Sequence, residues 1–300
     1  MGEQRYEESL NEIKERLKLS FEILEDEAKI KVKELDMEIN LYSQNYTNPP
    51  VPKGYKHIEG EWDTGWVIER EFDASQFVWI PVGFLKPNGT LNGKQFVEKF
   101  GRRNFLENPS IMYLEDFWSG KFKERNPVVF KQLCSVKKYG GFYVSRFLVS
   151  KKRIYVDSKC NLYAQSKKGE ESWPVDSSLL KAVEKFENGD SVESHIIYGA
   201  EFDTILEWMI ESKAISLDIL KGGKISKETG KIYNTGSSKT IKLNNVYDFG
   251  NMDEFTGEIA DKDYCDIECI RPANGLTDRK FVDLYGIHES LGTRICLYLK

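Results

Sequence analysis

Side chains able to do chemistry are few and scattered in this sequence. The thiols are Cys134, Cys160, Cys265, Cys269 and Cys296, and the imidazoles are His57, His195 and His288. Cys265 and Cys269 have three residues between them, a spacing at which two thiolates can share a soft metal ion. A closed zinc site wants four ligands, and no second Cys/His pair accompanies them. Cys296 lies within the apolar run Arg294-Ile295-Cys296-Leu297-Tyr298-Leu299, where a small buried thiol serves as core. Gly189-Asp190-Ser191 and Asn234-Thr235-Gly236-Ser237 lack the strand–elbow–helix setting of a hydrolase nucleophile. Neither a G-x-x-x-x-G-K-[ST] phosphate loop nor a G-x-G-x-x-G turn occurs. The many carboxylates could furnish a glycosidase pair, but folding rather than spacing sets their separation.

The elements that must position these groups follow from composition and pattern. Of 300 residues, 40% are hydrophobic and 13% aromatic, enough for one large domain or two ordinary ones. The net charge of −5 argues against broad phosphate-backbone binding, so no nucleic-acid partner is expected. The polar, acidic start, Met1-Gly2-Glu3-Gln4-Arg5-Tyr6, has no apolar h-region, so no secretory signal is expected. Nothing approaches an 18-residue apolar run, so no membrane insertion is expected. An odd cysteine count then suggests reduced thiols.

Residues 3–43 contain neither Pro nor Gly. Leu10, Ile13, Leu17, Phe21, Leu24, Ala28, Val32, Leu35 and Ile39 recur in steps of three and four, as an eleven-residue repeat. Glu12 with Arg16, Glu25 with Lys29 and Glu27 with Lys31 add favourable pairs at four-residue spacing. The pattern predicts a helix roughly 60 Å long. Such a stripe outruns a typical domain helix, so 1–43 is expected to be an oligomerising coiled coil. The other reading is a single amphipathic helix docked on its own domain. Three prolines at 49, 50 and 52 then predict a semi-rigid linker over 44–54.

The body, 55–300, changes pattern. Strands are predicted at 76–82, 140–149 and 294–299. A helix is predicted at 177–187, with Asp176 as N-cap and Asn188-Gly189 as stop. Another covers 200–213, where Phe202, Ile205, Leu206, Met209 and Ile210 make one apolar face. The stretch 214–245 reads as long surface loops. Few strands, two helices and long loops give an α+β expectation.

Several landmarks within this body carry a family resemblance. Val246-Tyr247-Asp248-Phe249-Gly250-Asn251-Met252-Asp253-Glu254-Phe255-Thr256, with Asn244 before it, resembles the N-x-x-Y-D-M-x-G-N-x-W-E-W-T signature of formylglycine-generating (sulfatase-modifying) enzymes. Asp253 and Phe255 stand where that signature has tryptophans. Gly141-Phe142-Tyr143-Val144-Ser145-Arg146-Phe147, Pro174-Val175-Asp176 and Tyr198-Gly199-Ala200-Glu201-Phe202-Asp203 resemble its earlier landmarks, in order. Ile270-Arg271-Pro272-Ala273-Asn274 resembles its R-G-G-S/N turn, and Gly292-Thr293-Arg294-Ile295-Cys296-Leu297 its closing strand. The resemblance covers about 160 residues and implies a C-type-lectin-like fold for 55–300.

The active enzymes carry a reactive cysteine pair just after the R-G-G-S turn, and no cysteine lies between Pro272 and Ile295 here. The resemblance is therefore to cysteine-less relatives, including phage tail-tip, receptor-binding and variable proteins. It implies a display surface formed by Asn274, Thr277, Asp278, Arg279, Lys280, Phe281, Asp283, Tyr285, His288 and Glu289. It also implies that Asn251, Asp253 and Glu254 help hold a structural Ca²⁺, which wants six to eight oxygens. An acidic surface loop capped by Asn and Asp remains the alternative for those three. The expected protein is a non-enzymatic phage or prophage virion component, such as a tail fibre or tail tip. Its expected partners are itself, other virion proteins and a host-surface protein or glycan, with a trimer favoured by analogy. A divergent oxidase or hydrolase of the same fold, or a purely architectural virion part, are the alternatives.

Overall fold

The computed structural model describes residues 46–83, 90, 91, 93, 96, 97, 99–105, 108–112, 122–124, 128–156, 159–187, 189–221, 231–262, 265–282 and 289–300. The expected helix over 1–43, with its stripe from Leu10 to Ile39, lies outside these residues. The described chain is mixed α+β, mostly sheet with few helices.

Eleven strands build two main sheets. In chain order they are β1 (Tyr55–Glu59), β2 (Val67–Arg70), β3 (Gln76–Pro81), β4 (Phe122–Glu124), β5 (Gly141–Ser145) and β6 (Val192–Ile196). Then follow β7 (Asp253–Lys262), β8 (Cys265–Arg271), β9 (Lys280–Val282), β10 (Leu291–Gly292) and β11 (Ile295–Leu299). The helices are α1 (Val128–Tyr139), α2 (Ser177–Glu184), α3 (Gly199–Glu211) and α4 (Leu217–Lys221). The first sheet runs β1-β2-β3-β5-β11-β6, with antiparallel neighbours throughout. The second runs β9-β8-β7-β10, and β4 pairs farther along the β7 edge that β10 covers.

The first sheet is covered on both faces, which explains its unbroken apolar runs. Along β3, Val78 and Ile80 join the core that contains Phe202, Leu206 and Met209 of α3 and Val129 and Leu133 of α1. Phe77 and Trp79 point the other way, into the core with Leu179 and Val183 of α2. The period of two therefore assigns alternate residues to separate cores. Along β11, Cys296 joins the first core, while Ile295, Leu297 and Leu299 join the second. The strands and helices predicted at 76–82, 140–149, 177–187, 200–213 and 294–299 are all present, with shifted ends. Asp176 caps α2 through a 2.7 Å bond from Leu179 N to Oδ1. Within 214–245, α4 and a strand at Ile241–Leu243 interrupt the expected loops.

The predicted linker is seated on the body over its described part. Tyr46 is buried, stacks on Phe96 at 5.2 Å and accepts a 3.1 Å bond from Trp79 Nε1 at its carbonyl. Pro50 O accepts from Tyr143 Oη at 3.0 Å. Gly140 makes this seat possible: its φ is +77°, and a Cβ there would lie 2.5 Å from the Tyr46 nitrogen. Aromatic burial and backbone acceptors thus anchor a segment whose prolines alone suggest a spacer.

The signature region forms a tight hairpin, Ile241–Leu243 against Val246–Phe249, joined by Asn244-Asn245. Both asparagines have positive φ, 45° and 66°, as a two-residue type I′ turn requires. Asp248 is also left-handed, at φ 69°. Three bonds to its carboxylate offset that strain, from Gly236 N (2.7 Å), Thr240 Oγ1 (3.0 Å) and Leu148 N (3.2 Å). Burial raises the Asp248 pKa, and Arg294 and these donors oppose the rise.

Candidate functional site

The expected display segment leaves the second sheet at Arg271 and re-enters it at Lys280. Its first half is a pinned turn. Ala273 N donates to Asp253 Oδ1 at 2.8 Å, Gly275 N to Pro272 O at 3.0 Å and Asp278 N to Gly275 O at 2.8 Å. Asn274, Asp278 and Lys280 are exposed above this turn, and Glu289 is exposed where the chain returns.

Two of the expected contact residues face inward, which corrects their assignment. Thr277 is buried. Arg279 turns its guanidinium into the body, where Nε donates to Glu258 Oε1 and Oε2 at 2.9 and 3.1 Å. Its Nη2 pairs with Asp203 Oδ2, and Nη1 donates to Arg103 O at 3.2 Å. Phe281 lies in β9, in register with Cys269. Asp283, Tyr285 and His288 lie outside the described residues.

Beneath the turn is a buried network of charge. Arg271 Nη2 lies 2.9 Å from Asp203 Oδ1 and 3.2 Å from Glu258 Oε2, all three side chains being fully buried. Arg102 Nε approaches Glu258 Oε1 at 3.5 Å. Arg103 pairs with Glu207, and its backbone N donates to Asp203 Oδ2 at 2.9 Å. Asp203 is the fifth residue of α3 and Glu258 comes from mid-β7, so the network ties helix to sheet. Gly199, the first residue of α3, leaves room for it: a Cβ there would stand 2.1 Å from Glu258 Oε2. Burial alone would raise the Glu258 pKa; Arg279, Arg271 and Arg102 outweigh it and hold the carboxyl below its usual range. Burial would likewise lower Arg279, but Asp203 and Glu258 hold it above the ordinary guanidinium value. Such a network fixes geometry more surely than it adds stability, because desolvation offsets much of its Coulomb energy.

The three residues offered to Ca²⁺ are engaged by protein donors. Glu254 forms a two-point pair with Arg294, Nε to Oε2 at 2.7 Å and Nη2 to Oε1 at 2.9 Å, both side chains fully buried. Asn251 bonds the Tyr233 backbone twice, Oδ1 accepting from N and Nδ2 donating to O, each at 2.9 Å. Asp253 Oδ1 holds Ala273 N. Asn251 and Asp253 thus tie loops together, and Glu254 anchors the closing strand.

Among the described residues, the group of metal-competent side chains that converges is a different one, His195, Glu201 and Cys296, with ligand atoms within 4.8 Å of one another. His195 and Cys296 are cross-strand partners of β6 and β11. Glu201 Oε1 meets His195 Nε2 at 2.7 Å, while Oε2 accepts from Tyr198 N, the N-cap residue of α3, at 2.8 Å. Burial and then Glu201 push the Cys296 thiol well up, away from the thiolate that reacts or ligates. Cys269 is similarly buried, its thiol pushed up to about 12 by burial and by Glu258. Sequence spacing singled out Cys265 and Cys269; here His195 and Glu201, six positions apart, are joined by the distant Cys296, and only β6–β11 pairing reveals it.

No family model matches the chain, and no curated protein and no solved structure matches it either. No described helix is long and apolar enough to cross a membrane.

Proposed function

We propose that this chain is a non-enzymatic binding protein of the phage or prophage virion surface, a tail-fibre or tail-tip component. Its body is a C-type-lectin-like domain, and residues 1–43 oligomerise it. The observation that carries this reading is the pinned 272–280 turn. Its root is locked by Arg271, Arg279 and Asp253, while Asn274, Asp278 and Lys280 stand in solvent. Recognition surfaces are commonly loops held by a rigid scaffold, because a preorganised loop loses little entropy on binding. The ordered sequence landmarks from Gly141 to Leu297 support the fold assignment.

A divergent enzyme would draw most naturally on His195, Glu201 and Cys296. Their burial, with Glu201 committed to a helix cap and the thiol held protonated, favours a structural role for all three.

The direct test is binding of the full chain to envelope fragments from a panel of Gram-negative and Gram-positive bacteria. Alanine at Asn274, Asp278, Lys280 and Glu289 together should weaken binding roughly tenfold or more, with an unchanged melting temperature. Equal binding by this variant would discard the loop as the recognition surface.

Removal of residues 1–45 retains Tyr46 and its core contacts. The product should sediment as a folded monomer, whereas the full chain sediments as an oligomer. A truncated protein that keeps the oligomeric state would end the stalk assignment.

A further inference from the structure

On the body, away from the turn just described, three elements wall a cavity of about 670 Å³. They are the turn between β2 and β3, the strand Lys159–Gln165, and the C-terminal end of α2 with the residues after it. The volume falls in the range of small-molecule sites, roughly 300–1,000 Å³. Of the seven large hydrophobic side chains exposed among the described residues, three line this one cavity: Phe72 (75% exposed), Tyr163 (44%) and Leu162 (39%). Singly exposed apolar groups need no explanation, but three converging on a concave surface mark a binding site.

The Phe72 ring is held out by a built turn. Arg70 N donates to Ser75 O at 2.8 Å, Ala74 N to Arg70 O at 2.9 Å, and Ala74 takes φ 60°. Arg70, itself buried, clamps the turn through Asp73, with Nε to Oδ1 at 3.0 Å and Nη2 to Oδ2 at 2.6 Å. Its guanidinium also covers the Phe186 ring at 3.6 Å and donates to Phe186 O at 2.8 Å. The floor of the cavity is thus fixed before any ligand arrives.

Charge on the walls is balanced. Arg70 and Lys185 face Glu71 and Glu187, and Asp73 and Lys152 flank the turn as a further acid and base. A charged ligand therefore finds no field to select it. Glu187 accepts on Oε1 from Tyr55 Oη at 3.2 Å and Arg70 Nη1 at 3.4 Å, which orients its carboxylate at the rim. A neutral ligand with one apolar C–H face and hydroxyls around its edge matches this arrangement. Its face stacks on exposed rings, and its hydroxyls pair with rim donors and acceptors.

We propose that the cavity between Phe72, Tyr163, Lys185 and Glu187 binds a neutral oligosaccharide. This site is separate from the 272–280 turn and does not depend on that turn's assigned role.

Saturation-transfer NMR on the full chain tests it, with cellotetraose, maltotetraose and chitotetraose as neutral probes. An anionic sialyllactose and a Phe-rich hexapeptide serve as competing chemistries. At least one neutral tetrasaccharide should receive saturation on its ring C–H protons. Phe72→Ala and Tyr163→Ala should each weaken it by roughly tenfold, the worth of one stacked ring. Both side chains are substantially exposed, so an unchanged melting temperature separates loss of binding from loss of fold. The fourfold alanine variant of the loop should keep the saccharide signal. The site would be overturned by no neutral probe binding below about 10 mM, by binding indifferent to Phe72→Ala, or by stronger binding of the sialylated or peptide probe. Loss of the signal in the loop variant alone would move the saccharide to the loop and likewise overturn it.

Discussion

Glu258→Ala is expected to lower the unfolding free energy by about 3–5 kcal/mol, the range for removing one partner of a buried ion network. Glu258 is fully buried and meets Arg102, Arg271 and Arg279. Its removal leaves Asp203 as the carboxylate shared by Arg271 and Arg279. Glu258→Gln separates charge from shape. Because the folded pKa of Glu258 is depressed, its ionic contribution is complete above the unfolded value of 4.5 and is lost as pH falls through the folded pKa. The stability gap between wild type and Glu258→Gln should therefore be constant near neutrality and narrow below pH 4.5. Urea unfolding at a series of pH values measures it. A gap that stays flat into acid would mean that the carboxylate is not held ionised by its arginines.

The features legible in the sequence were those written locally. Asp176 before an apolar-periodic run announces α2, because the cap needs only its own side chain and the next backbone N–H groups. Phe202, Leu206 and Met209 announce α3 by spacing, and all three are buried. Helix α1 was illegible because its inward face is interrupted by polar groups. Gln132 and Ser135 are buried beside Val129, Leu133 and Val136, and Ser135 Oγ accepts from Leu299 N at 2.8 Å. A polar residue whose partner lies 164 positions away looks, in one dimension, like an outward-facing one.

The candidate site divides in the same way. Asn274, Asp278, Lys280 and Glu289 are polar and exposed, as their types suggest. Arg279 has the same surface character in sequence, yet it is drawn inward by Asp203 and Glu258, which lie 76 and 21 positions away. Charged residues do not declare their partners by spacing unless both lie on one helix face. The acidic run at 251–254 shows the converse. Its composition suits an oxygen-ligated cation, and its arginine partner, 40 positions on, is invisible until β7 and β11 are placed.

That partner carries the second large effect. Arg294→Met is expected to cost about 3–5 kcal/mol, because Glu254 stays fully buried without its counter-ion. Burial raises the Glu254 pKa, Arg294 opposes the rise, and Asp248 adds to it. With Arg294 gone, burial and the Asp248 charge act unopposed, and the carboxyl takes up a proton or pulls in water. The same guanidinium donates to Tyr247 O at 2.8 Å and covers the Phe249 ring at 4.6 Å, so its loss also loosens the signature hairpin. Combining Arg294→Met with Glu254→Leu removes both charges. The double variant should be more stable than Arg294→Met alone, yet short of wild type by about 1–3 kcal/mol, since the Tyr247 carbonyl still lacks its donor. A double-mutant cycle by urea unfolding gives the coupling directly, and strictly additive losses would refute an ion pair that matters. Added Ca²⁺ should not restore the Arg294→Met variant, because Asn251 remains bonded to Tyr233 and Asp253 to Ala273. Restoration by Ca²⁺ would instead show that freeing Glu254 uncovers the oxygen site its sequence suggests.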